Sequence, residues 1–342
     1  MSKKRIEYFD IAKGIAMLCI IVGHMGMESV NQFVFTFHVP LFFLVSGYFL
    51  NDRLSVREYA KIRAKQLMIP YAVTSVILVI SGTIASYIWL GTKEGAFFGF
   101  LNQVLTALYG SGSPAHMIQF VEGIYAFPIG AIWFLPATWV ALVIVRYFMN
   151  WKYCGICIVI VAILGYSSSK AFWMPLSIQA GMTAAAFVYL GMLARRHQVM
   201  EKKLPSEIFI GTIAIWGFCI LFCGKLYWVE NTFTNGLTDV AGALAGSYLV
   251  LRFSRMLEQR VRFLARPLRF VGENSLVILC AHTVELQVIH WDWIGEIFDV
   301  GWTVEMGITF ATKVLFCLLI VWLVKVMQSI FRKVAVKNKG NR

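Results

Sequence analysis

The stretch from Asp10 to Leu50, DIAKGIAMLCIIVGHMGMESVNQFVFTFHVPLFFLVSGYFL, decides the fold of this chain. It contains two apolar runs separated by a short polar segment, which predicts two membrane-spanning helices joined by a turn. Lys13, His24 and His38 interrupt the apolar runs. Because an ionisable side chain at bilayer depth is costly, these three residues indicate a functional site.

Lys13 and His24 are placed to act together. They are eleven positions apart, which is close to three turns of an α-helix, so both side chains project from one face. Along the helix axis they stand about 16 Å apart, since each residue rises about 1.5 Å. A fixed cation near one end of this face and a titratable imidazole towards the other suit a long anionic ligand whose reactive tip must reach a base.

The whole chain has the composition of a membrane protein. Apolar residues make up 59% of the 342 residues and charged residues only 14%, which is far from the soluble average. Apolar runs of about 17 to 25 residues predict an all-α polytopic membrane protein with about ten transmembrane helices. The expected spans lie near residues 11–28, 33–50, 70–90, 130–148, 153–167, 175–194, 207–224, 236–252, 270–290 and 304–327. They form one membrane domain, residues 1–342, and leave no room for a separate soluble domain.

Lysine and arginine border the predicted spans in separate clusters. The formal net charge is +13, and with ten spans nearly all of the clusters fall on one side of the membrane. Only Lys93, Lys170 and Lys225 fall on the other side. The positive-inside rule then places both termini in the cytoplasm, including residues 1–9 and the basic tail 328–342. Charge that borders spans in this way indicates a bilayer and argues against a nucleic-acid partner.

Residues 91–129 form the longest outer loop in this topology. The segment from Phe97 to Tyr109 is apolar but short for a span, which favours a re-entrant or interfacial helix. Residues 110–114, Gly-Ser-Gly-Ser-Pro, end it. The loop is either a lid over an outward-facing acceptor site or a segment that packs against the bundle, and both interpretations stay open.

The first two predicted spans resemble acyltransferase family 3, the integral-membrane O-acyltransferases. A basic residue, ten residues and then His on the first span is the signature of that family. DIAKGIAMLCIIVGH and FHVPLFFLVSGYF are most similar to the branch that acetylates sugar hydroxyls, including fucose, on bacterial polysaccharides. IWFLPATW, from Ile132 to Trp139, and PLRFVGENSLVILCAH, which ends at His282, extend the similarity.

The resemblance implies an acyltransferase of the cytoplasmic (inner) membrane that transfers groups other than amino-acyl groups. It implies acetyl-coenzyme A (acetyl-CoA) from the cytoplasm as donor. The implied acceptor is a hydroxyl of a sugar or glycolipid, in a surface polysaccharide or its lipid-linked precursor. No metal is implied. The sequence leaves the acceptor, the acyl chain length and the oligomeric state open.

His24 is the residue for which the resemblance implies catalysis. An alcohol is too weak an acid to attack a thioester unaided, and a neutral imidazole can take its proton in the transition state. An acetyl-His intermediate is the alternative, since His can also act as a covalent nucleophile. Lys13 would hold a phosphate of the donor as a point charge. Asp10, one helical turn from Lys13, completes this catalytic set by orienting it.

Basic residues shortly before the proline that opens span three are tied to donor binding in the family. Arg63 and Lys65 precede Pro70 and are the expected donor-binding residues of this loop. Gln66 stands where a second basic residue is common. The alternative is that the charges of the loop only set the topology and contact anionic lipid headgroups.

The candidate acceptor-binding or supporting residues are His38, Trp133, Ser275, His282 and Glu285. Trp133 could stack on a sugar, although aromatic residues also belong at membrane interfaces. His282 matches a His of the family pattern, and Glu285 lies three residues further on the same helix face, within reach to orient the imidazole. The alternative for these residues is a polar clamp between helices.

Two remaining features carry less weight. The seven cysteines lie in or beside predicted spans, and their odd number argues against a disulfide framework. Lys313 in span ten and Asp239 at the start of span eight are further charges in apolar surroundings, which an ion pair or a cavity lining explains.

A transporter or flippase of a polar or lipid-linked substrate, without acyl chemistry, is the alternative function. Ten spans with charged residues near the midplane are equally typical of secondary transporters. Against it, the two halves of the chain show no internal repeat.

Overall fold

The computed structural model describes residues 6–223, 226–298 and 301–340, and of residues 296, 298 and 334–340 it describes the backbone alone. Most of the predicted N-terminal segment 1–9 therefore lies outside the described residues, as do Lys225 and the last two residues of the predicted tail. Within the described ranges, α-helices dominate the chain and one short β-hairpin accompanies them. The all-α prediction is corrected only by that hairpin.

Fourteen α-helices follow one another along the described chain. Their bounds are α1 Glu7–Gly23, α2 Glu28–Val34, α3 His38–Tyr48, α4 Val56–Leu90, α5 Lys93–Tyr109, α6 Phe134–Phe148, α7 Cys154–Ser168, α8 Ile178–Arg196, α9 Ser206–Phe218, α10 Leu237–Arg260, α11 Arg262–Glu273, α12 Ser275–Val288, α13 Trp293–Phe298 and α14 Trp302–Gly340. Strands β1 Ile118–Val121 and β2 Ile124–Ala126 pair antiparallel between α5 and α6.

Six helical segments of the described chain are long and apolar enough to cross a membrane. They are Glu28–Tyr48, Val56–Leu90, Ala131–Phe148, Pro175–Arg196, Ser206–Cys223 and Trp302–Lys333. Helices α7 and α12 are apolar but shorter. The chain is thus an all-helical membrane protein apart from its hairpin, whereas the number ten and the cytoplasmic position of both termini stay predictions.

Apolar side chains cover the outer surfaces of the longest helices. On α4, Ile88 and Trp89 are exposed, and on α14 Leu315 and Trp322 are exposed. Exposing such a surface to water is unfavourable, whereas the hydrocarbon of a bilayer is itself apolar and accommodates it. The backbone of a helix can enter that hydrocarbon because it satisfies its own hydrogen bonds.

In the structure, a histidine stands at the end of the first helix and at the start of the third helix. Helix α1 ends at Gly23, and His24 is its C-cap, because Gly26 then turns the chain with a φ of 75°. Helix α3 begins at His38 after Phe37, whose backbone is not helical. Both imidazoles therefore lie where a helix gives way to a turn, and the predicted spans 11–28 and 33–50 are shorter helices flanking α2.

The predicted span 270–290 is two helices, because the helix is interrupted at Asn274 between α11 and α12. Helix α11 packs closely on α1, where Gly14 and Gly272 bring the two backbones together. A Cβ at Gly14 would overlap the Leu268 carbonyl, and one at Gly272 would overlap the Asp10 carbonyl. This close approach fixes α1 against the start of α12.

Residues 91–129 form helix α5 and the hairpin. Helix α5 covers the apolar segment from Phe97 to Tyr109 and ends where Gly110 takes a φ of 62°. It packs along α4, and β2 packs on it. On which side of the membrane this segment lies stays a prediction.

Candidate active site

A cavity of about 340 Å³ lies between α1, α3, α6 and α12, with Leu67 of α4 in its wall. Its lining is mainly apolar, and the aromatic part consists of Phe35, Phe42, Trp133, Phe134 and Trp228. Its polar side chains are His24, His38, Ser46, Thr138 and Ser275. Four residues selected from the sequence, on four separate segments, therefore meet at one cavity: His24, His38, Trp133 and Ser275.

The hydrogen bonds of His24 define which of its nitrogens carries the proton. Its Nδ1 atom lies 2.8 Å from the carbonyl oxygen of Ile20. A carbonyl oxygen can only accept, so Nδ1 bears the hydrogen and Nε2 carries the lone pair. Nε2 has no hydrogen-bond partner among the described residues, and the ring is exposed at the cavity wall.

His282 and Glu285 extend this arrangement behind His24. The Nε2 atom of His282 lies 3.2 Å from Nδ1 of His24, and it accepts a share of the same hydrogen. Its Nδ1 atom donates to Oε1 of Glu285 at 2.7 Å. Both residues are fully buried. The result is a chain of hydrogen bonds from the Glu285 carboxylate through two imidazoles to a basic nitrogen at the cavity.

Two residues from the end of the chain hold the carboxylate of Glu285. Lys313 on α14 donates from Nζ to both carboxylate oxygens, at 3.2 and 2.9 Å. The indole Nε1 of Trp291 donates to Oε2. The ammonium of Lys313 also lies 5.3 Å from the centre of the Trp291 ring. The ion pair neutralises the carboxylate and fixes its orientation, as a buried charge requires.

His38 presents a second imidazole to the same cavity. Its Nδ1 atom lies 2.6 Å from the carbonyl oxygen of Val34, so here too Nδ1 donates and Nε2 carries the lone pair. The ring is buried and packs edge-on against Phe35. Two imidazole acceptors, one at the end of α1 and one at the start of α3, therefore line one apolar cavity.

Lys13 and Asp10 lie on α1 away from the cavity wall. The ammonium of Lys13 is 2.7 Å from the Asp10 carboxylate. Met17, Ile20 and His24 line the cavity, and Lys13 lies one turn before Met17 on the same helix face. It therefore continues the cavity-lining face of α1 towards its N-terminus.

Arg63 and Lys65 lie on the first part of α4. The guanidinium of Arg63 donates to Oε1 of Gln66 at 2.9 Å and lies 5.2 Å from the centre of the Tyr59 ring. Lys65 is exposed. Neither residue lines the cavity, whereas Leu67, one turn after Arg63, does. Their contact with a donor stays a prediction.

Two contributors to the site were not foreseen from the sequence. The carbonyl of Ile20 fixes the tautomer of His24, and Trp291 donates to Glu285. Lys313 was singled out as a charge inside an apolar run, and the structure shows the ion pair that was one of its two interpretations, with Glu285 as the partner. Among the described residues, no group of three His, Cys, Asp or Glu side chains is arranged to hold a metal ion.

Comparison with known proteins assigns the chain. A family model described as an acyltransferase domain matches residues 6–324. The chain belongs to the acyltransferase 3 family. Like the rest of the family 3 proteins, it is an acyltransferase of the class that transfers groups other than amino-acyl groups. Family membership therefore decides in favour of an enzyme over the transporter that the sequence left open.

The chain is similar along its sequence to two bacterial proteins, both named nodulation protein NolL. Nodulation protein NolL of Mesorhizobium japonicum is 21% identical over 337 residues, covering 89% of this chain and 82% of the relative. Nodulation protein NolL of Sinorhizobium fredii is 24% identical over 173 residues, covering 44% of this chain and 40% of the relative. No solved structure matches the chain significantly.

Proposed function

We propose that this acyltransferase moves an acetyl group from cytoplasmic acetyl-CoA to a hydroxyl of a sugar, in a surface polysaccharide or its lipid-linked precursor. The position of His24 is the observation that carries this proposal. Its ring lines an apolar cavity, and its Nδ1 hydrogen is donated to the carbonyl oxygen of Ile20. Its Nε2 lone pair has no partner in the part of the chain that is described. A basic nitrogen in such a chamber suits proton abstraction from an alcohol.

His24 acts first as base and then as acid. Its Nε2 atom removes the proton of the acceptor hydroxyl while the hydroxyl oxygen attacks the thioester carbonyl carbon. The tetrahedral intermediate then expels the thiolate of coenzyme A, the carbon–sulfur bond breaks, and the imidazolium returns the proton to sulfur. The products are an acetyl ester and coenzyme A with a free thiol, so His24 ends in its starting state.

His282 and Glu285 are positioning residues for this step. When His24 takes a proton on Nε2, positive charge develops on an imidazole whose Nδ1 hydrogen points at His282. His282 accepts this hydrogen bond because Glu285 holds the hydrogen of His282 on Nδ1, the far side of the ring. The carboxylate thus sets the tautomer of both rings, the role that a third residue has in nucleophile–base–carboxylate sites.

The donor would approach His24 from the side of the cavity where α4 contributes to its wall. Leu67 on α4 lines the cavity, and the basic residues Arg63 and Lys65 lie within about one turn before it on the same helix. Lys13 continues the face of α1 that carries His24. Cationic groups near one end of a chamber and a base at the other suit acetyl-CoA, whose phosphates and thioester lie at opposite ends of a long arm.

Aromatic side chains and polar groups provide for the acceptor. Trp133 offers a flat face in the cavity wall, and the Nε2 lone pair of His38 offers a hydrogen-bond acceptor to a second hydroxyl of the sugar. Ser275 adds a hydroxyl group at the start of α12. The apolar remainder of the wall excludes bulk water, which protects the thioester from hydrolysis.

A transfer assay tests the proposal. The protein, reconstituted in nanodiscs, is given acetyl-CoA carrying a labelled acetyl group and a panel of lipid-linked oligosaccharides with and without fucose. We expect label in an alkali-labile ester on an oligosaccharide, together with an equal amount of free coenzyme A thiol. Octanoyl-CoA serves as a donor control and should transfer poorly.

The result that contradicts the proposal is an acceptor labelled from another donor while acetyl-CoA neither binds nor reacts. Thiol release without labelled sugar would contradict the acceptor class and leave a hydrolase in its place.

A further inference from the structure

A second cavity, of about 680 Å³, lies where the start of α1 meets the end of α10 and helix α11. It shares no lining residue with the cavity that holds His24. Its charged lining consists of four arginines and two glutamates: Arg255, Arg262, Arg266, Arg269, Glu7 and Glu258. The excess of positive charge favours an anionic ligand.

Two of these arginines, Arg262 and Arg266, have guanidinium groups that nothing else engages. Both side chains are exposed, and among the described residues neither forms an ion pair. Arg269, by contrast, contacts Glu7 at 2.6 Å and Glu273 at 2.9 Å. Residues four apart lie on one face of a helix, so the two free guanidinium groups are neighbours. Each presents a planar fork of hydrogen-bond donors that matches phosphate oxygens.

Next to these arginines, α11 exposes aromatic side chains. Phe263 is 76% exposed and Phe270 is 40% exposed. At 3.6 residues per turn, both lie on one side of the arginine face, and Leu268 and Gly272, which contact α1, lie on its other side. The arginines therefore separate a packed face from an exposed aromatic face. Basic and aromatic faces side by side are typical of a helix that lies in a membrane interface.

Helix α14 gives the depth of this aromatic face in the membrane. Its segment Trp302–Lys333 is long and apolar enough to cross a bilayer. Lys325 is the first charged residue after Lys313 in that segment, and its ammonium lies 4.3 Å from the centre of the Phe270 ring. Because lysines near the end of a span reach for the headgroups, Phe270 lies where hydrocarbon and headgroups meet.

We infer that this second cavity binds the headgroup of an anionic phospholipid. The phosphate oxygens accept hydrogen bonds from Arg262 and Arg266, and the acyl chains extend over Phe263 and Phe270 into the bilayer. Basic pockets between helices at a membrane surface suit such headgroups. A free phosphate, or coenzyme A, would use the arginines but leave the aromatic face uncovered. The inference does not depend on the proposed reaction, because no residue of the site lines the cavity that holds His24.

Lipid titration followed by native mass spectrometry tests this site. The protein, purified in detergent, is titrated with phosphatidylglycerol or with phosphatidylcholine of the same acyl chains. Both lipids carry a phosphate, but only phosphatidylglycerol has a net negative charge. We expect one phosphatidylglycerol to bind at least roughly 10-fold more tightly than phosphatidylcholine. Arg262→Gln/Arg266→Gln should weaken phosphatidylglycerol binding by roughly 10- to 100-fold, the range for two basic contacts at a membrane surface.

A matched control and a second variant accompany this measurement. Arg332→Gln/Lys333→Gln removes two exposed cations near the end of α14, outside the cavity. It should leave phosphatidylglycerol binding within about twofold of the wild type. Phe263→Gln changes only an exposed ring and should weaken phosphatidylglycerol binding by a few-fold, even if the double arginine variant fails to fold.

Three results would overturn the lipid site. Equal affinities of the wild type for the two lipids would show that no charged headgroup is recognised. Equal losses in the two double variants would show only a general attraction of cations for anionic lipid. Displacement of phosphatidylglycerol by coenzyme A at equal concentration, with no effect of Phe263→Gln, would assign the cavity to a soluble phosphate ligand instead.

Discussion

Replacement of Glu285 by Gln separates structural support from catalysis. In the wild type, Glu285 accepts from His282 at 2.7 Å, from Lys313 at 2.9 and 3.2 Å, and from Trp291. Gln keeps the size but loses the charge, so the ammonium of Lys313, 5% exposed, is left buried without its counter-ion. Breaking a buried ion pair from one side costs about 3–5 kcal/mol of unfolding free energy.

The effect on catalysis is expected to be separable from the effect on stability. A neutral amide no longer fixes the hydrogen of His282 on Nδ1, so His24 loses a defined hydrogen-bond acceptor behind its ring. We expect kcat to fall by roughly 100- to 10,000-fold, the range for loss of a base or of the group that orients it. The affinity for acetyl-CoA should stay within a few-fold, because the proposed donor-binding residues Lys13, Arg63 and Lys65 lie on other helices.

The double variant Glu285→Gln/Lys313→Met provides the control. Removing both charges takes away the uncompensated cation, so most of the lost unfolding free energy should return in thermal unfolding followed in detergent. The transfer rate should remain low. A stable double variant with a wild-type kcat would refute the reasoning, because it would show Glu285 and Lys313 to be a structural ion pair only.

Three further predictions address the donor, the topology and the fold. Lys13→Ala should weaken acetyl-CoA binding by roughly 10-fold or more and Lys13→Arg should retain most of it, and equal affinities by calorimetry would remove Lys13 from the donor site. In a variant without native cysteines, a membrane-impermeant thiol reagent added to intact cells should label Cys at Glu122 and spare Cys at Lys202, and the reverse pattern would invert the proposed orientation. Gly272→Ala should lower the unfolding free energy by about 1–3 kcal/mol, because the new Cβ separates α11 from α1, and an unchanged denaturation midpoint would contradict that packing.

The sequence predicted the contacts of the site that lie within a single helix. His282 and Glu285 are three residues apart, so helical periodicity alone brings the imidazole to the carboxylate, as the structure has it. Lys13 and Asp10 are paired for the same reason. Hydropathy likewise indicated an all-helical membrane protein, because lipid requires long apolar helices.

Contacts between distant segments could not be predicted in this way. His24 and His282 are 258 residues apart, and no periodicity relates them. The approach of Trp291 to Glu285 depends on the end of α12 and on the turn after it.

The interruptions of the helices were also missed, although part of the signal is present. Gly26 and Asn274 are residue types that readily end helices, and both do so here. The predicted spans nevertheless extended to or across these residues, because hydropathy averaged over a window hides one or two turn residues. As a result, the sequence placed His24 inside a span, whereas it caps a helix at a turn.

The transfer rate of His24→Gln, measured together with donor binding, tests the central claim most directly. Gln keeps a hydrogen-bonding side chain of similar size but has no basic nitrogen. We predict that acetyl-CoA binding stays within a few-fold of the wild type, that the protein remains folded, and that acetyl transfer falls by roughly 100-fold or more at every pH. In the wild type, transfer should rise with pH as the imidazole becomes neutral. A folded His24→Gln protein that transfers acetyl groups at the wild-type rate would contradict the account.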